Sequence, residues 1–185
     1  MTLSHVSKSY GSKAARIAPM LTDPAGGTPT YGSSVLVPGI QQVIITGTVD
    51  AKELRGDNTL LDADAVLRKI DVTIDWAKFS FDVLNAILGA TIVDTGASPN
   101  QVTSMDITSP VILPYFKLEV QTASADPVGG DLHFTLWKLK ISSFPEMGTA
   151  LEDYRLQKVA AIAVPRISDG KWISPVENET KVAPV

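Results

Sequence analysis

The stretch that decides the fold is QQVIITGTVDAKELRGDNTLLDADAVLRKIDVTIDWAK, residues 41–78. Its first part is rich in β-branched residues and its last part alternates apolar and polar residues, which predicts two β-strands. Between them, residues 50–65 carry mixed charges and no strand-forming run, so we interpret them as a long loop. Connections in compact domains usually span about 2–6 residues. A loop of this length therefore has a function or is disordered.

The strand after the predicted loop has two chemically different sides. The apolar positions share one side: Ile70, Val72, Ile74 and Trp76. The polar positions share the other: Lys69, Asp71, Thr73 and Asp75. A period of two is typical of a sheet that packs on a core with one side and meets solvent with the other. We expect the apolar side to be core.

A short helix is predicted over residues 80–89. Ser80 offers a side-chain oxygen to the free amides of the first turn, and Asp82 is favourable at that end. Gly89 is suited to the left-handed conformation that ends a helix. The apolar residues of this segment share one side, so the helix should pack on the sheet.

The rest of the chain predicts a mainly β, α+β domain flanked by two arms. Further strands are expected at Gln101–Thr108, Leu113–Thr122, Leu132–Ser142 and Asp153–Val164. Residues 1–34 and 167–185 are rich in proline or glycine and poor in strand-forming runs, so we interpret them as N-terminal and C-terminal arms. One domain then spans residues 35–166.

Composition excludes several classes of site. The chain has 185 residues and a formal charge of −4, which argues against a broad basic surface that grips nucleic acid. It has no cysteine and two histidines, so neither a disulfide framework nor a thiolate or histidine-rich metal site is expected. No apolar run approaches the roughly 20 residues of a membrane span. We expect no membrane insertion, no cofactor and synthesis in the cytoplasm.

Four segments carry a resemblance to a known family. They are KELRGDN in the predicted loop, KIDVTIDWAK, FDVLNAILGA and DLHFTLWKLKISSFPEMGTALEDYRLQKVAAIAVP, residues 131–165. In wording and order, residues 35–173 resemble the major tail tube proteins of long-tailed bacteriophages. The resemblance implies an antiparallel β-sandwich with one flanking helix, and hexameric rings whose long strands form a β-barrel wall.

The resemblance also implies a role and partners. The protein would be a structural virion protein, not an enzyme, that assembles in the host cytoplasm into stacked rings and forms the tail conduit for DNA ejection. Its partners would be other copies of itself, the tail tape measure protein and tail terminator or initiator proteins. Double-stranded DNA would pass through the lumen without specific binding.

Two surfaces follow as hypotheses. We expect the polar side of the strand, with Lys69, Asp71, Thr73 and Asp75, to face the lumen and to repel the DNA backbone through its acidic groups. We expect the long loop to contact the next ring, because mixed charges fix orientation and leucines supply burial. The loop residues are Lys52, Glu53, Leu54, Arg55, Asp57, Leu60 and Leu61.

Two other functions stay open. The chain could be the inner tube protein of a contractile tail or of a type VI-like secretion system, whose subunits share the same general fold. The segment Asp94-Thr95-Gly96 also matches the active-site wording of retropepsin-like aspartic proteases, in which two such aspartates share a proton and activate water. Those enzymes need an apolar pair followed by glycine downstream of the motif. Here Ile87-Leu88-Gly89 lies upstream.

Overall fold

In its described residues the protein is mainly β, with antiparallel sheets and one short helix. The computed structural model describes residues 9–56, 59–108, 112–124, 130–147 and 156–185. The elements, in chain order, are β1 (Ser9–Thr22), β2 (Thr30–Tyr31), β3 (Val35–Leu36), β4 (Ile40–Gly56), β5 (Thr59–Trp76), α1 (Phe81–Leu88), β6 (Ile92–Thr95), β7 (Val102–Met105), β8 (Phe116–Ser124), β9 (Asp131–Ile141), β10 (Gln157–Ala163) and β11 (Ile173–Asn178).

Across these ranges, nine strands form one antiparallel sheet in the order β2-β1-β8-β9-β10-β5-β4, with β3 added to β1 and β11 added to β9. Strands β6 and β7 form a separate two-stranded ribbon. Although β1 and β4 lie far apart in the strand order, they contact each other, so the sheet curls around its core. This arrangement is consistent with the predicted β-sandwich.

The core lies between the curled sheet and α1. The apolar side of β5 is buried as predicted, and Ile74 and Trp76 are at most 1% exposed. Strands β8, β9 and β10 add Phe116, Leu136 and Val159 to the same cluster. Each such side chain contributes about 1.5–3 kcal/mol by leaving water.

Helix α1 has the predicted ends. The Ser80 hydroxyl accepts a hydrogen bond from the Val83 amide at 3.3 Å, and Gly89 has φ 71° with its N–H donating to the Asn85 carbonyl. Val83, Leu84, Ile87 and Leu88 are buried against the sheet. The helix therefore closes the core beside β1 and β3, which it contacts.

The predicted irregular arm over residues 1–34 was wrong for residues 9–22. These residues form β1, which pairs with β8 from Ser9 to Pro19 and buries Ala15 and Ile17 completely. Alanine and glycine are depleted in strands, so the local sequence does not indicate a strand here. The strand forms because it pairs with β8. Residues 1–8 lie outside the described ranges.

The predicted loop over residues 50–65 was also wrong. Strands β4 and β5 form one long hairpin, with the ladder running from Ile40 opposite Trp76 to Gly56 opposite Thr59. Its distal residues are exposed on both sides, so no apolar alternation is needed there and charged residues are tolerated. Cross-strand opposite charges such as Lys52 and Asp64 support the pairing.

The predicted C-terminal arm over residues 167–185 is part of the sheet instead. Its middle is β11, which pairs with β9, and the residues after Asn178 hydrogen-bond back onto the sheet. Strand β9 lies within one residue of its predicted start and end. Strand β8 starts at Phe116, later than predicted, and β10 is shorter than predicted. Predicted strand residues 153–155 lie outside the described ranges.

Candidate assembly surfaces

The outer half of the β4–β5 hairpin extends beyond the core. We call this part, from Val49 along β4 and up to Leu67 along β5, the distal hairpin. Every residue of it with a described side chain is exposed. Strand β4 pairs only with β5 among the described strands, so its other edge keeps free amides and carbonyls. Free strand edges favour pairing with another chain.

The distal hairpin has two unlike sides. Residues opposite each other in the ladder share a side, and one side is apolar: Val49, Ala51, Ala63, Ala65 and Leu67, together with Glu53. This apolar side continues the side of β4 on which Val43 and Ile45 pack against the core. The other side carries Asp50, Lys52, Leu54, Asp62, Asp64 and Val66. We call them the apolar side and the charged side.

The apolar side is uncovered. Val49 is 54% exposed and Leu67 is 40% exposed, although both continue a surface that is core in the rest of the molecule. A two-stranded hairpin alone is marginally stable in water and gains stability when one side packs against something else. The distal hairpin therefore has the features of a docking element.

Six of the seven predicted inter-ring residues lie on the strands of this hairpin. Lys52, Glu53, Leu54 and Arg55 belong to β4, and Leu60 and Leu61 belong to β5. Arg55 donates to Glu53 at 2.7 Å, and Arg68 donates to Asp50 at 2.9 Å. Asp57 lies outside the described ranges. The structure thus places the predicted group on paired strands instead of a loop.

The predicted lumen-facing residues lie together on the outer side of the sheet. Asp71, Thr73 and Asp75 alternate with the buried residues of β5, and Lys69 continues the row. Neighbouring strands extend this surface: β4 adds Gln42, Ile44 and Thr46, and β10 adds Lys158, Ala160 and Ile162. We call this the outer polar surface.

The outer polar surface carries compensated charge. The Lys69 ammonium lies 3.1 Å from the Asp71 carboxylate, and Lys158 is the cross-strand neighbour of Asp75. Each of the two carboxylates therefore has a lysine beside it, so this surface is not acidic by itself. Lys158 could not be assigned to it from the sequence, because β10 joins β5 from far along the chain. The expected lumen position of the surface stays a prediction.

The structure contains an open apolar groove that was not predicted from the sequence. It lies between β1 and β4 and is lined by Ser12, Val43, Ile45, Val120, Thr122, Phe134 and Ile173. The partner strand β1 was interpreted as irregular, so the groove between them could not be predicted.

A buried ion pair fixes the turn between β1 and β2 to the body, by which we mean the curled sheet and α1 without the distal hairpin. The Lys138 ammonium lies 2.7 Å from the Asp23 carboxylate, which also accepts the amides of Ile167 and Ser168. Burial raises the pKa of Asp23, but the Ile167 amide, the Lys138 ammonium and the Ser168 amide together outweigh it and lower the pKa to about 2. This group joins β9 to the segments that follow β1 and β10, and so stabilises the body.

The Asp-Thr-Gly segment lies on the exposed ribbon. Asp94 belongs to β6, and its carboxylate accepts a hydrogen bond from the Thr103 hydroxyl at 2.6 Å across the ribbon. Both aspartate and threonine are exposed. This contact is ordinary cross-strand pairing.

Comparison with models of known protein families finds no match, and comparison with curated proteins finds none either. The resemblance to tail tube proteins therefore stays a prediction. Within the described ranges, no helix has the length and apolar character that a membrane crossing needs. In the same part of the chain, acidic and histidine side chains form no group of three or more that could hold a metal ion.

Proposed function

We propose that this chain is a structural subunit that assembles with copies of itself into stacked hexameric rings, forming the tail tube through which a long-tailed bacteriophage ejects its DNA. The distal hairpin is the observation that carries this proposal. It is a long pair of strands, exposed on both sides, with one apolar side and one charged side. An uncovered apolar sheet surface of this kind marks an interaction site or an aggregation hazard.

The occupant of the apolar side is a second copy of the chain. Strand β4 has no hydrogen-bonded neighbour on its second edge among the described strands, and an identical chain supplies strands of the same kind to pair with it. Side-by-side pairing around a ring leaves no free edge, because each copy covers the edge of the next. The charged side of the hairpin then sets the register between rings.

The outer polar surface lines the lumen in this proposal. Its lysines and aspartates compensate each other, so a ring presents neither a basic wall that binds phosphate nor a strongly repelling one. Proteins that hold DNA do so mainly through lysine and arginine contacts that release counterions. A compensated wall supplies few such contacts, so DNA passes without being held.

The assembly test uses two matched double variants. Val49→Ser with Leu67→Ser changes the apolar side, and Val102→Ser with Leu21→Ser makes the same two chemical changes at exposed positions outside the hairpin. We expect purified wild-type protein at high concentration to form rings or tubes in negative-stain electron micrographs. The first variant should stay a folded monomer, and the second should assemble.

Two outcomes contradict the proposal. One is wild-type protein that remains monomeric at every concentration, including beside a tail-initiation complex. The other is normal tubes from the apolar-side variant, which would show that the hairpin is not the docking element. Circular dichroism of both variants checks that the body is folded.

The lumen is tested with Asp71→Lys and Asp75→Lys together. This change makes the outer polar surface basic, and we expect virions carrying it to eject DNA more slowly because phosphate contacts form. A control with Asp94→Lys and Glu179→Lys has the same net charge with the changes placed elsewhere. Ejection at the wild-type rate from the first variant would place the lumen on another surface.

A further inference from the structure

A cluster of buried polar side chains on β8 and β9 lies under the segment that follows β11. We call residues 179–185 the strap. The strap crosses β8 and β9 and is held by hydrogen bonds that converge on a few buried side chains. The Val182 amide donates to Asp131 at 3.0 Å, and the Val185 amide donates to Glu119 at 3.2 Å. Pro184 of the strap is buried.

Histidine 133 is the centre of this cluster. Its side chain is almost fully buried, at 5% exposure of the residue. One ring nitrogen, Nδ1, lies 3.2 Å from a Glu119 carboxylate oxygen. The other, Nε2, lies 3.0 Å from the Val182 carbonyl and 3.3 Å from an Asp131 carboxylate oxygen. Among the residues that the structure describes, both nitrogens therefore face only oxygen atoms that accept hydrogen bonds.

This arrangement suits a ring that carries a proton on each nitrogen. A neutral imidazole has one N–H donor and one lone pair, whereas the charged ring has two donors. In the neutral ring, one nitrogen would present its lone pair to a carboxylate or to the Val182 carbonyl. One hydrogen bond would be lost and a repulsive contact would replace it.

The surrounding charges favour the same form. Glu119 and Asp131 supply two carboxylates, and the Lys117 ammonium lies 3.7 Å from Glu119. Burial raises the pKa of Asp131, but hydrogen bonds from Asn178, Gln121, Val182 and His133 outweigh it and lower the pKa to about 2. Asp131 is therefore ionised at neutral pH. A charged histidine balances the second carboxylate.

Within the described part of the chain, other elements add no further partner to the ring. Arg16 of β1 lies opposite Glu119 but directs its guanidinium to Ser34 at 3.2 Å. On β11, Val176 is the cross-strand neighbour of His133. Lys181 of the strap lines a groove with Lys13 and Arg16, beside Gln121.

We propose that the strap is a pH-sensitive latch: it is docked while His133 carries both ring protons and is released as that residue loses one. Histidine side chains ordinarily change charge between about pH 5 and 8. The docked strap binds the protonated form, so docking is strongest at the acidic end of this range and weakens as pH rises. Release uncovers Glu119, Gln121, Asp131 and His133 and frees the strap for another partner. This inference does not depend on the tail tube function.

Trypsin cleavage after Lys181 reports strap opening, because the Lys181–Val182 bond lies within the docked segment. The full-length protein is cleaved at pH 6.0 and pH 8.5, and mass spectrometry follows that single product. Each rate is divided by the rate for a free peptide of residues 176–185, which removes the pH dependence of the protease. We expect the normalised rate to rise about tenfold, the loss of one charge-assisted hydrogen bond.

Two variants distinguish pH-dependent release of the strap from a general loss of stability. His133→Gln cannot change charge, so its normalised rate should be high and equal at both pH values. Lys140→Gln lies on the same strand, where its ammonium faces the Tyr115 ring, and should keep the wild-type profile. A full pH response in His133→Gln would overturn the proposal.

A measurement on the wild-type protein covers the case in which His133→Gln does not fold. Hydrogen exchange at the Val182 and Val185 amides, corrected for intrinsic rates, should accelerate by about the same tenfold factor between pH 6.0 and pH 8.5. Core amides of β9 should not accelerate. Equal corrected exchange of the strap at both pH values would also overturn the proposal.

Discussion

The two halves of the β4–β5 hairpin differ in what covers them. Near the body, the apolar side of β5 belongs to the buried core, and Ile74 is 0% exposed. Farther out, the apolar side of the same pair of strands has Val49 and Leu67 in solvent. Pairing of the two backbones continues through both halves. Backbone pairing alone therefore shapes this hairpin, while burial decides which half contributes to the stability of the monomer.

The largest expected difference is between two leucines. Leu136→Ala removes a fully buried side chain of β9 and should lower the free energy of unfolding by about 2–5 kcal/mol. Leu54→Ala, on the distal hairpin at 61% exposure, should change it by less than about 0.5 kcal/mol. Urea unfolding of the monomer measures both. Equal losses would mean that the distal hairpin is covered in the monomer.

Low pH should destabilise the body of the protein. Asp23 and Asp131 have pKa values of about 2 in the folded protein, below the ordinary 3.8, so each stabilises the fold while ionised. At neutral pH each contributes roughly 2 kcal/mol. This contribution is complete above about pH 4 and is lost as pH falls toward 2. Unfolding free energies measured between pH 6 and pH 2 should decline over that interval.

A shortened variant tests where this acid sensitivity lies. Replacing residues 51–65 with Asn-Gly joins Asp50 to Val66, which are opposite each other in the ladder, through a two-residue turn. The shortened protein should show the same decline below pH 4 as the full chain. A much smaller decline would assign the acid response to the carboxylates of the hairpin.

Two ion pairs give the next difference. Asp23→Asn leaves the Lys138 ammonium buried without its carboxylate and should cost roughly 3 kcal/mol at pH 7. Asp50→Asn breaks the exposed pair with Arg68 on the distal hairpin and should cost less than about 1 kcal/mol. Added salt should weaken the second pair and leave the first almost unchanged. A costly Asp50→Asn would contradict the description of the hairpin as uncovered.

The sequence predicted those parts of the fold that depend on residues close together in the chain. The alternation in β5 and the caps at Ser80 and Gly89 have local causes, and the structure has all three. Strand β1 could not be predicted in the same way. Its alanines carry little strand preference, and its position depends on pairing with β8, about a hundred residues away along the chain.

The candidate surfaces show the same division. The outer polar surface was predicted because its residues alternate along one strand, but its neutral charge depends on Lys158 of β10, which only the strand order reveals. The distal hairpin was misinterpreted as a loop because strands exposed on both sides need no apolar alternation. The strap cluster could not be predicted because His133 reaches Glu119 only after β8 and β9 pair, and reaches the Val182 carbonyl only after the strap returns across them.

The smallest expected effect concerns the ribbon of β6 and β7. Asp94→Asn removes one charge at an exposed position whose partner is the Thr103 hydroxyl, so it should change the free energy of unfolding by less than about 0.5 kcal/mol and leave tube assembly intact. The same variant separates the structural function from a retropepsin-like protease, since an aspartic protease loses its activity when the catalytic carboxylate becomes an amide. Cleavage of a peptide library that disappears in Asp94→Asn, together with unchanged folding, would contradict the structural function. It would then make the ribbon, and not the distal hairpin, the part of the molecule that acts.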